Sequence, residues 1–205
     1  MNISPLLSNY SINEESQENE LKKFSEIILS ILENEVSIPS HLIQFPNNIW
    51  NSENAHLLEK ITILDLRDLD LKVIPPEIGR LNRLKDLDLS NNEITSLPKE
   101  IEQLKELIQL SLNNNKLVEI PEIIYELIQL KGLYLSDNLI CQLDAKITNL
   151  KNLEWLYLNN NQINHIPPNA LPFLENLKKF SLGNNFSNKL NISDLPNLNL
   201  MSKFL

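Results

Sequence analysis

The sequence repeats with a period of 23 residues, and this period constrains the fold more than any other feature. The clearest unit starts at Leu84 and reads LKDLDLSNNEITSLPKEIEQLKE. Aliphatic residues recur at positions 1, 4, 6, 11, 14, 18 and 21 of the units, and Asn recurs at position 9. Units begin at residues 61, 84, 107, 130, 153 and 177, with one residue inserted before the last. Seven apolar positions in phase over five full units and one partial unit indicate a repeat protein.

The residue types at these positions predict the shape of one unit. Positions 4 and 6, such as Leu87 and Leu89, alternate with polar neighbours, which is the period of a strand with one buried face. The later aliphatic residues point back inwards from the return segment. One unit cannot bury its apolar face alone, so successive strands must pair in parallel and stack their Leu and Ile layers. The pattern therefore predicts a solenoid with about six strands in one parallel sheet.

The unit L-x-x-L-x-L-x-x-N-x-[LI]-x-x-[LI]-P-x-x-I-x-x-L-x-x resembles the leucine-rich repeat, over residues 61 to about 190. The form with an Ile-Pro or Leu-Pro pair is similar to that of intracellular signalling scaffolds, including Ras-binding ones, and of bacterial repeat proteins, some of which are pathogen effectors. The resemblance implies an α/β solenoid, the leucine-rich repeat horseshoe, with about six parallel strands on its concave side, short helical or 3-10 segments on its convex side, and a helical N-terminal cap. It does not imply an activity.

The Asn at position 9 follows the turn that leaves the strand, where backbone N–H and C=O groups are shut off from water. An Asn side chain carries both donors and an acceptor, so it can pair with these groups and with the neighbouring unit. In the first unit Leu69 stands at this position, and terminal repeats are commonly atypical. We expect a buried structural ladder of Asn92, Asn115, Asn138, Asn161 and Asn185.

Position 15 is Pro in four units, at Pro75, Pro98, Pro121 and Pro167. Pro lacks an N–H and fixes φ, which suits the start of a short helical turn on the convex side. Asp144 replaces it in the fourth unit and Asn191 in the sixth. The sequence alone leaves the convex conformation of these two units open.

The chain outside the repeats divides into a flexible polar tail over residues 1–18, an N-terminal helical cap over residues 19–60, and a C-terminal cap over residues 191–205; the repeats occupy residues 61–190. From Glu20 to Glu33 apolar residues recur at spacings of three and four, which predicts an amphipathic helix. Its expected role is to cover the open end of the solenoid, because a bare edge exposes core and unpaired backbone. A partner-binding helix is the alternative. Residues 38–45 imitate the second half of a unit and would belong to the cap.

Charge and cysteine content exclude several classes of function. A net charge of −9 and a pI near 4.9 argue against binding to nucleic acid or to anionic membranes. Cys141 is the only cysteine, so no internal disulfide can form. No signal peptide and no membrane-spanning apolar run are apparent. We expect a monomer that is cytoplasmic, or that is exported into a host cell without a signal peptide.

Residues for catalysis or metal binding do not cluster in the sequence. His41, His56 and His165 have no second ligand at metal spacing, and Cys141 has no base nearby. Three glycines cannot form a phosphate-binding loop. We therefore predict no cofactor, no metal, no catalytic residue and no enzymatic activity.

The outward strand positions on the concave side are the remaining candidate site. They are acidic in the first units, aromatic in the later ones and basic at the end. Tyr134 and Tyr157 should lie side by side on adjacent strands, and Gly132 should leave open space beside Trp155. The aromatic residues either stabilise the sheet by cross-strand stacking or anchor a partner. The candidate partner-binding residues are Asp65, Asp86, Asp88, Gln109, Tyr134, Trp155, Tyr157 and Lys179.

These observations favour non-catalytic protein–protein interaction on the concave face. The acidic residues would select a partner with a basic segment. In one hypothesis the chain is a bacterial leucine-rich repeat protein or secreted effector that acts on a host protein. In the alternative it is an endogenous intracellular signalling scaffold of the Ras-binding-like class. An enzyme is the least favoured hypothesis.

Overall fold

The computed structural model describes residues 14–33 and 46–185. These residues fall into two compact units, the first ending at Ala55 and the second beginning at His56, and each is described by itself. The predicted C-terminal cap and the repeat-like stretch over residues 38–45 lie outside the described residues.

The first unit contains helix α1, Glu14–Glu33, followed by 3-10 helices over Pro46–Trp50 and Ser52–Asn54. Phe24 of α1 stacks on Trp50, with ring centroids 5.6 Å apart and planes inclined by 9°. Trp50 Nε1 donates a hydrogen bond to Ser25 Oγ over 2.7 Å. Both rings are buried, so the apolar stripe of the amphipathic helix is used in packing, as its period predicts.

Helix α1 begins at Glu14, earlier than the predicted start at Glu20. Residues 14–18, which the sequence analysis assigned to the flexible tail, therefore belong to the helix. This stretch is rich in Glu and Gln, which have high helix propensity. It contains no apolar residue, so a search for hydrophobic periodicity could not detect it. The expected role of α1 as a cap of the solenoid stays a prediction.

The second unit is organised by one six-stranded parallel sheet whose strand order follows the chain. Each strand pairs with the next in the predicted register, so that Leu87 faces Leu110 and Leu110 faces Leu133. The inserted residue lies between the last two strands, because Tyr157 pairs with Ser181. The predicted solenoid fold is confirmed. The strands are β1 (Ile63–Asp65), β2 (Asp86–Asp88), β3 (Gln109–Ser111), β4 (Gly132–Tyr134), β5 (Trp155–Tyr157) and β6 (Lys179–Ser181).

Short helices occupy the return segments, as predicted. Helix α2, Ala55–Leu58, precedes β1, and helix α3, Leu171–Glu175, precedes β6. The fourth unit keeps a 3-10 helix although Asp144 replaces Pro, because the Asp144 carboxylate accepts a hydrogen bond from the Lys146 N–H over 2.7 Å and caps the helix. The 3-10 helices of the repeats are Pro76–Arg80, Lys99–Gln103, Glu122–Glu126, Ala145–Asn149 and Pro168–Ala170.

The core is a continuous column of aliphatic side chains from the repeat positions. In the second repeat Leu87, Leu89, Ile94, Ile101 and Leu104 are all fully buried. Burying one such side chain contributes about 1.5–3 kcal/mol relative to exposure. Since each layer packs against the equivalent layer of the next unit, the core fixes the position of every strand and of the residues that the strands carry outwards.

Candidate functional site

The five Asn residues at repeat position 9 are buried and bonded to backbone. Asn115 Nδ2 donates to the carbonyl oxygens of Leu89, Leu112 and Asn113 over 2.9 to 3.2 Å. Its Oδ1 accepts from the Ile94 N–H over 2.9 Å. Leu89 and Ile94 belong to the preceding unit, so each Asn side chain joins two repeats. Equivalent bonds occur at Asn92, Asn138, Asn161 and Asn185.

The residue before each of these Asn positions adopts a positive φ, which the sequence analysis missed. Asn and Asp tolerate this left-handed region better than other non-Gly residues. The signal was present in the sequence, because position 8 is Asn or Asp in all six units. Turns of one conformation thus end all six strands. The φ values lie between 51° and 59° at Asp68, Asn91, Asn114, Asp137, Asn160 and Asn184.

The outward-facing side of the sheet is formed by the first and third residues of each strand, and we call it the sheet face. The middle residue of each strand, such as Leu87 or Leu156, is buried. All eight candidate residues from the sequence analysis occupy first or third positions and therefore lie on the sheet face: Asp65, Asp86, Asp88, Gln109, Tyr134, Trp155, Tyr157 and Lys179.

Two tyrosines form the centre of the sheet face. Tyr134 and Tyr157 are register partners on β4 and β5. Their rings stack with centroids 5.4 Å apart and planes inclined by 10°, which confirms that they lie side by side. The Tyr134 hydroxyl donates to Gln109 Oε1 over 3.2 Å. Both rings remain half-exposed, so the stack is accessible to a partner.

Gly132 does not leave open space beside Trp155, and this prediction was wrong. A Cβ at residue 132 would lie 3.0 Å from Cε2 of Tyr134 and 3.1 Å from its hydroxyl oxygen. The Tyr134 ring leans over Gly132 towards Gln109 and fills the volume that a side chain would take. The glycine therefore makes room for the tyrosine of its own strand.

The acidic end of the sheet face contains two carboxylates, Asp65 and Asp88, that share one arginine. Arg67 Nη2 lies 2.7 Å from Asp65 Oδ2, and Arg67 Nε lies 3.5 Å from Asp88 Oδ2. The hydrogen bond from Arg67 holds the pKa of Asp65 below its ordinary value. The Asp86 carboxylate, by contrast, has no hydrogen bond or ion pair within the described part of the chain. Burial, and then repulsion from Asp88 and Asp65, raise the pKa of Asp86.

The basic end of the sheet face likewise has one lysine that is paired and one that is not. Lys178 Nζ lies 2.7 Å from Glu154 Oε2 and 5.7 Å from the centroid of the Trp155 ring, so it is both paired and placed for a cation–π contact. Lys179, on β6, is exposed and makes no ion pair within residues 14–33 and 46–185. Its ammonium group is therefore available to a partner.

The described residues contain no cluster of three His, Cys, Asp or Glu side chains that could hold a metal ion. None of their helices has the length and apolar character needed to cross a membrane. Cys141 is exposed as a free thiol.

The stacked units, the single parallel sheet and the position-9 Asn bonds define an α/β solenoid of the repeat class. The sequence profile of the leucine rich repeat family matches residues 59–117 and 128–186, and the chain belongs to this family. No curated protein matches the sequence.

Solved structures similar to this chain include two bacterial proteins and one plant protein. A leucine-rich repeat protein of Leptospira interrogans is 40% identical, with a TM-score of 0.58; the match covers 65% of this chain but only 33% of that one. The ectodomain of the receptor kinase SOBIR1 from Arabidopsis thaliana is 34% identical, with a TM-score of 0.51, over 60% of this chain and 69% of that one. Internalin C2 of Listeria monocytogenes is 29% identical, with a TM-score of 0.52, over 64% and 56%.

The family membership narrows the class of function. Leucine-rich repeat domains generally bind proteins and are typically non-catalytic, so the fold suggests a protein-interaction module. The present chain spans about a third of the length of the Leptospira protein.

Proposed function

We propose that this chain is a non-catalytic interaction module that binds a protein partner on the sheet face. The observation that supports this most is the half-exposed cluster of Tyr134, Tyr157 and Trp155 on β4 and β5. Cross-strand stacking accounts for the two tyrosines. It does not account for Trp155, which stacks on no other aromatic ring in the described part of the chain. Exposed Trp and Tyr on a rigid, well-packed support are typical anchors of protein interfaces.

The test compares two double variants. In the first, Trp155→Ala with Tyr157→Ala removes the aromatic cluster. In the second, Val118→Ala with Ile128→Ala removes apolar side chains that are 57% and 54% exposed but lie off the sheet face. Partners are captured from host-type and bacterial lysates, identified, purified and then measured by calorimetry. We expect the first variant to weaken binding more than about tenfold, as for an interface hot spot, and the second to bind like the parent chain.

Equal thermal stability of the two variants is required for this comparison. If both variants bind the captured partner as the parent does, the aromatic residues are structural and the sheet face is not the site.

The acidic end of the sheet face supports the preference for a basic segment in the partner. Asp86→Lys with Asp88→Lys should slow association, and the loss should be largest at low salt, because exposed charges act over a Debye length of about 10 Å at 0.1 M ionic strength. A loss of affinity that does not change between low and high salt would show that these carboxylates do not select the partner.

We further propose that the chain is a bacterial protein whose partner is a host protein. The likeness to the Leptospira and Listeria proteins supports the bacterial origin. The alternative is an endogenous signalling scaffold. A partner captured from host lysate and lost with the aromatic variant favours the first, whereas a partner found only in the chain's own cell type favours the second.

A further inference from the structure

One row of side chains crosses all but the first strand of the sheet face and has a charge at each end. It consists of the first residues of β2 to β6, which are register neighbours: Asp86, Gln109, Gly132, Trp155 and Lys179. The Tyr134 ring covers Gly132 and binds Gln109, so the middle of the row is an aromatic floor. A ligand lying along this row would meet a carboxylate first, then the floor, then an ammonium group.

The two ends of this row carry charges that no other residue of the described ranges neutralises. Beside Asp86, the Asp65 and Asp88 carboxylates share Arg67. Beside Lys179, Lys178 is paired with Glu154. Asp86 and Lys179 have no such partner within the described residues. Asp86 is partly buried, so its uncompensated charge is unfavourable in the free protein, and an opposite charge from a ligand relieves this cost. Lys179 is exposed, and an acidic residue of a ligand would give it a charge-assisted hydrogen bond.

We propose that the sheet face takes one linear segment of a protein partner, with a Lys or Arg against Asp86, apolar residues over Tyr134 and Trp155, and an Asp or Glu against Lys179. This inference rests on the proposed function and adds the charge order and spacing of the segment. The acidic end alone would select any basic partner. The unpaired Lys179 makes the site selective for a segment that carries both charges.

The strand spacing sets the length of this segment. Asp86 and Lys179 are four strands apart, which is about 19 Å at about 4.8 Å per strand. An extended chain advances about 3.3 Å per residue, so the two charged residues of the segment should be about six residues apart. The side chains fix the order of the charges along the row. They do not fix the chain direction, so both directions satisfy the site.

The experiment is a selection of random twelve-residue peptides, displayed on phage, against the intact chain. We expect the enriched peptides to carry a basic and an acidic residue five to seven positions apart with apolar residues between them. Enriched peptides without this pair, or no enrichment at all, would overturn the inference.

Affinity measurements on the best enriched peptide test each contact. We expect Asp86→Asn and Lys179→Gln each to lower the affinity for this peptide about tenfold, the value for a lost hydrogen bond to a charged group. Glu102→Gln and Lys105→Gln are the matched controls, because they remove exposed charges that lie off the sheet face and should not change the affinity. The variant Asp86→Lys has a basic residue at both ends of the row, so it should prefer the peptide whose basic residue is replaced by Glu over the original peptide, in either chain direction. Equal affinities of this variant for both peptides would contradict the inference.

A further variant separates this inference from the proposed function. If Trp155→Ala with Tyr157→Ala abolishes peptide binding while the charge variants leave it unchanged, the sheet face binds protein but not by this charge order. If the aromatic variant also binds normally, both proposals fail.

Discussion

The ring of Tyr134 lies over Gly132, so close that a Cβ at residue 132 would come within 3.0 Å of Tyr134 Cε2. The atoms that such a Cβ would meet belong to the far end of a side chain that can move. Gly79 is in a different situation, because a Cβ there would lie 2.6 Å from the backbone oxygen of Glu100. A side chain at residue 132 would therefore change the sheet face, whereas a side chain at residue 79 would disturb the packing between repeats.

Gly132→Ala should reduce partner affinity with little loss of stability. The added methyl would lie 3.0 Å from Tyr134 Cε2, so the ring must shift by a few tenths of an ångström, which should weaken its stack on Tyr157 and its bond to Gln109. We expect the free energy of unfolding to change by less than about 1 kcal/mol, as at other surface sites, and the near-ultraviolet circular dichroism of the tyrosines to change. Gly79→Ala is the comparison and should cost about 1–3 kcal/mol by overpacking. An unchanged tyrosine signal in Gly132→Ala would show that the ring does not move.

The sequence predicted backbone placement well and side-chain direction poorly. A period of 23 residues fixes the register, so Tyr134 and Tyr157 could be placed on adjacent strands without a structure. Where the Tyr134 ring points depends on a vacancy at Gly132 and an acceptor on Gln109, and both are three-dimensional properties. The position of Lys178 Nζ near the Trp155 ring likewise depends on side-chain directions that the repeat period does not fix.

The Asn at position 9 should contribute far more stability than its exposed neighbour. Asn115→Ala leaves the Ile94 N–H and three carbonyl groups without this partner, which should cost about 1–3 kcal/mol. Asn114→Gly is the control: it removes only the exposed bond from Asn114 to Asn91 and keeps a residue that tolerates positive φ. We expect the control to cost a few tenths of a kcal/mol. Chemical denaturation measures both, and equal losses would contradict the buried role of Asn115.

The left-handed turn can be tested at Asn91, where φ is 57°. Asn91→Ala and Asn91→Gly remove the same side-chain acceptor, so their difference in stability reports the backbone alone. Because a Cβ is unfavourable in this region, we expect Ala to be less stable than Gly by about 0.5–1 kcal/mol. In an ordinary helix or strand the order would be reversed, so an alanine variant that is the more stable of the two would refute the constraint.

Asp86 and Asp65 should affect stability with opposite signs as the pH changes. The pKa of Asp86 is raised above its ordinary value of 3.8, first by burial and then by Asp88 and Asp65. The folded state therefore binds this proton more tightly than the unfolded state does, and stability falls as the pH rises from the unfolded to the folded pKa. Asp86→Asn should thus raise the Tm at neutral pH, and this gain should vanish below the unfolded pKa of 3.8.

The pKa of Asp65 is shifted in the opposite direction, because the hydrogen bond from Arg67 lowers it. Its stabilisation is present above the unfolded pKa and is lost as the pH falls through the folded pKa. Asp65→Asn should therefore lower the Tm at neutral pH, by a small amount because the pair is exposed to solvent. Thermal unfolding of both variants at neutral and acidic pH measures the two signs. If Asp86→Asn were destabilising at neutral pH, Asp86 would have a counter-charge in the folded protein, and it could not be the carboxylate left unpaired for a basic ligand.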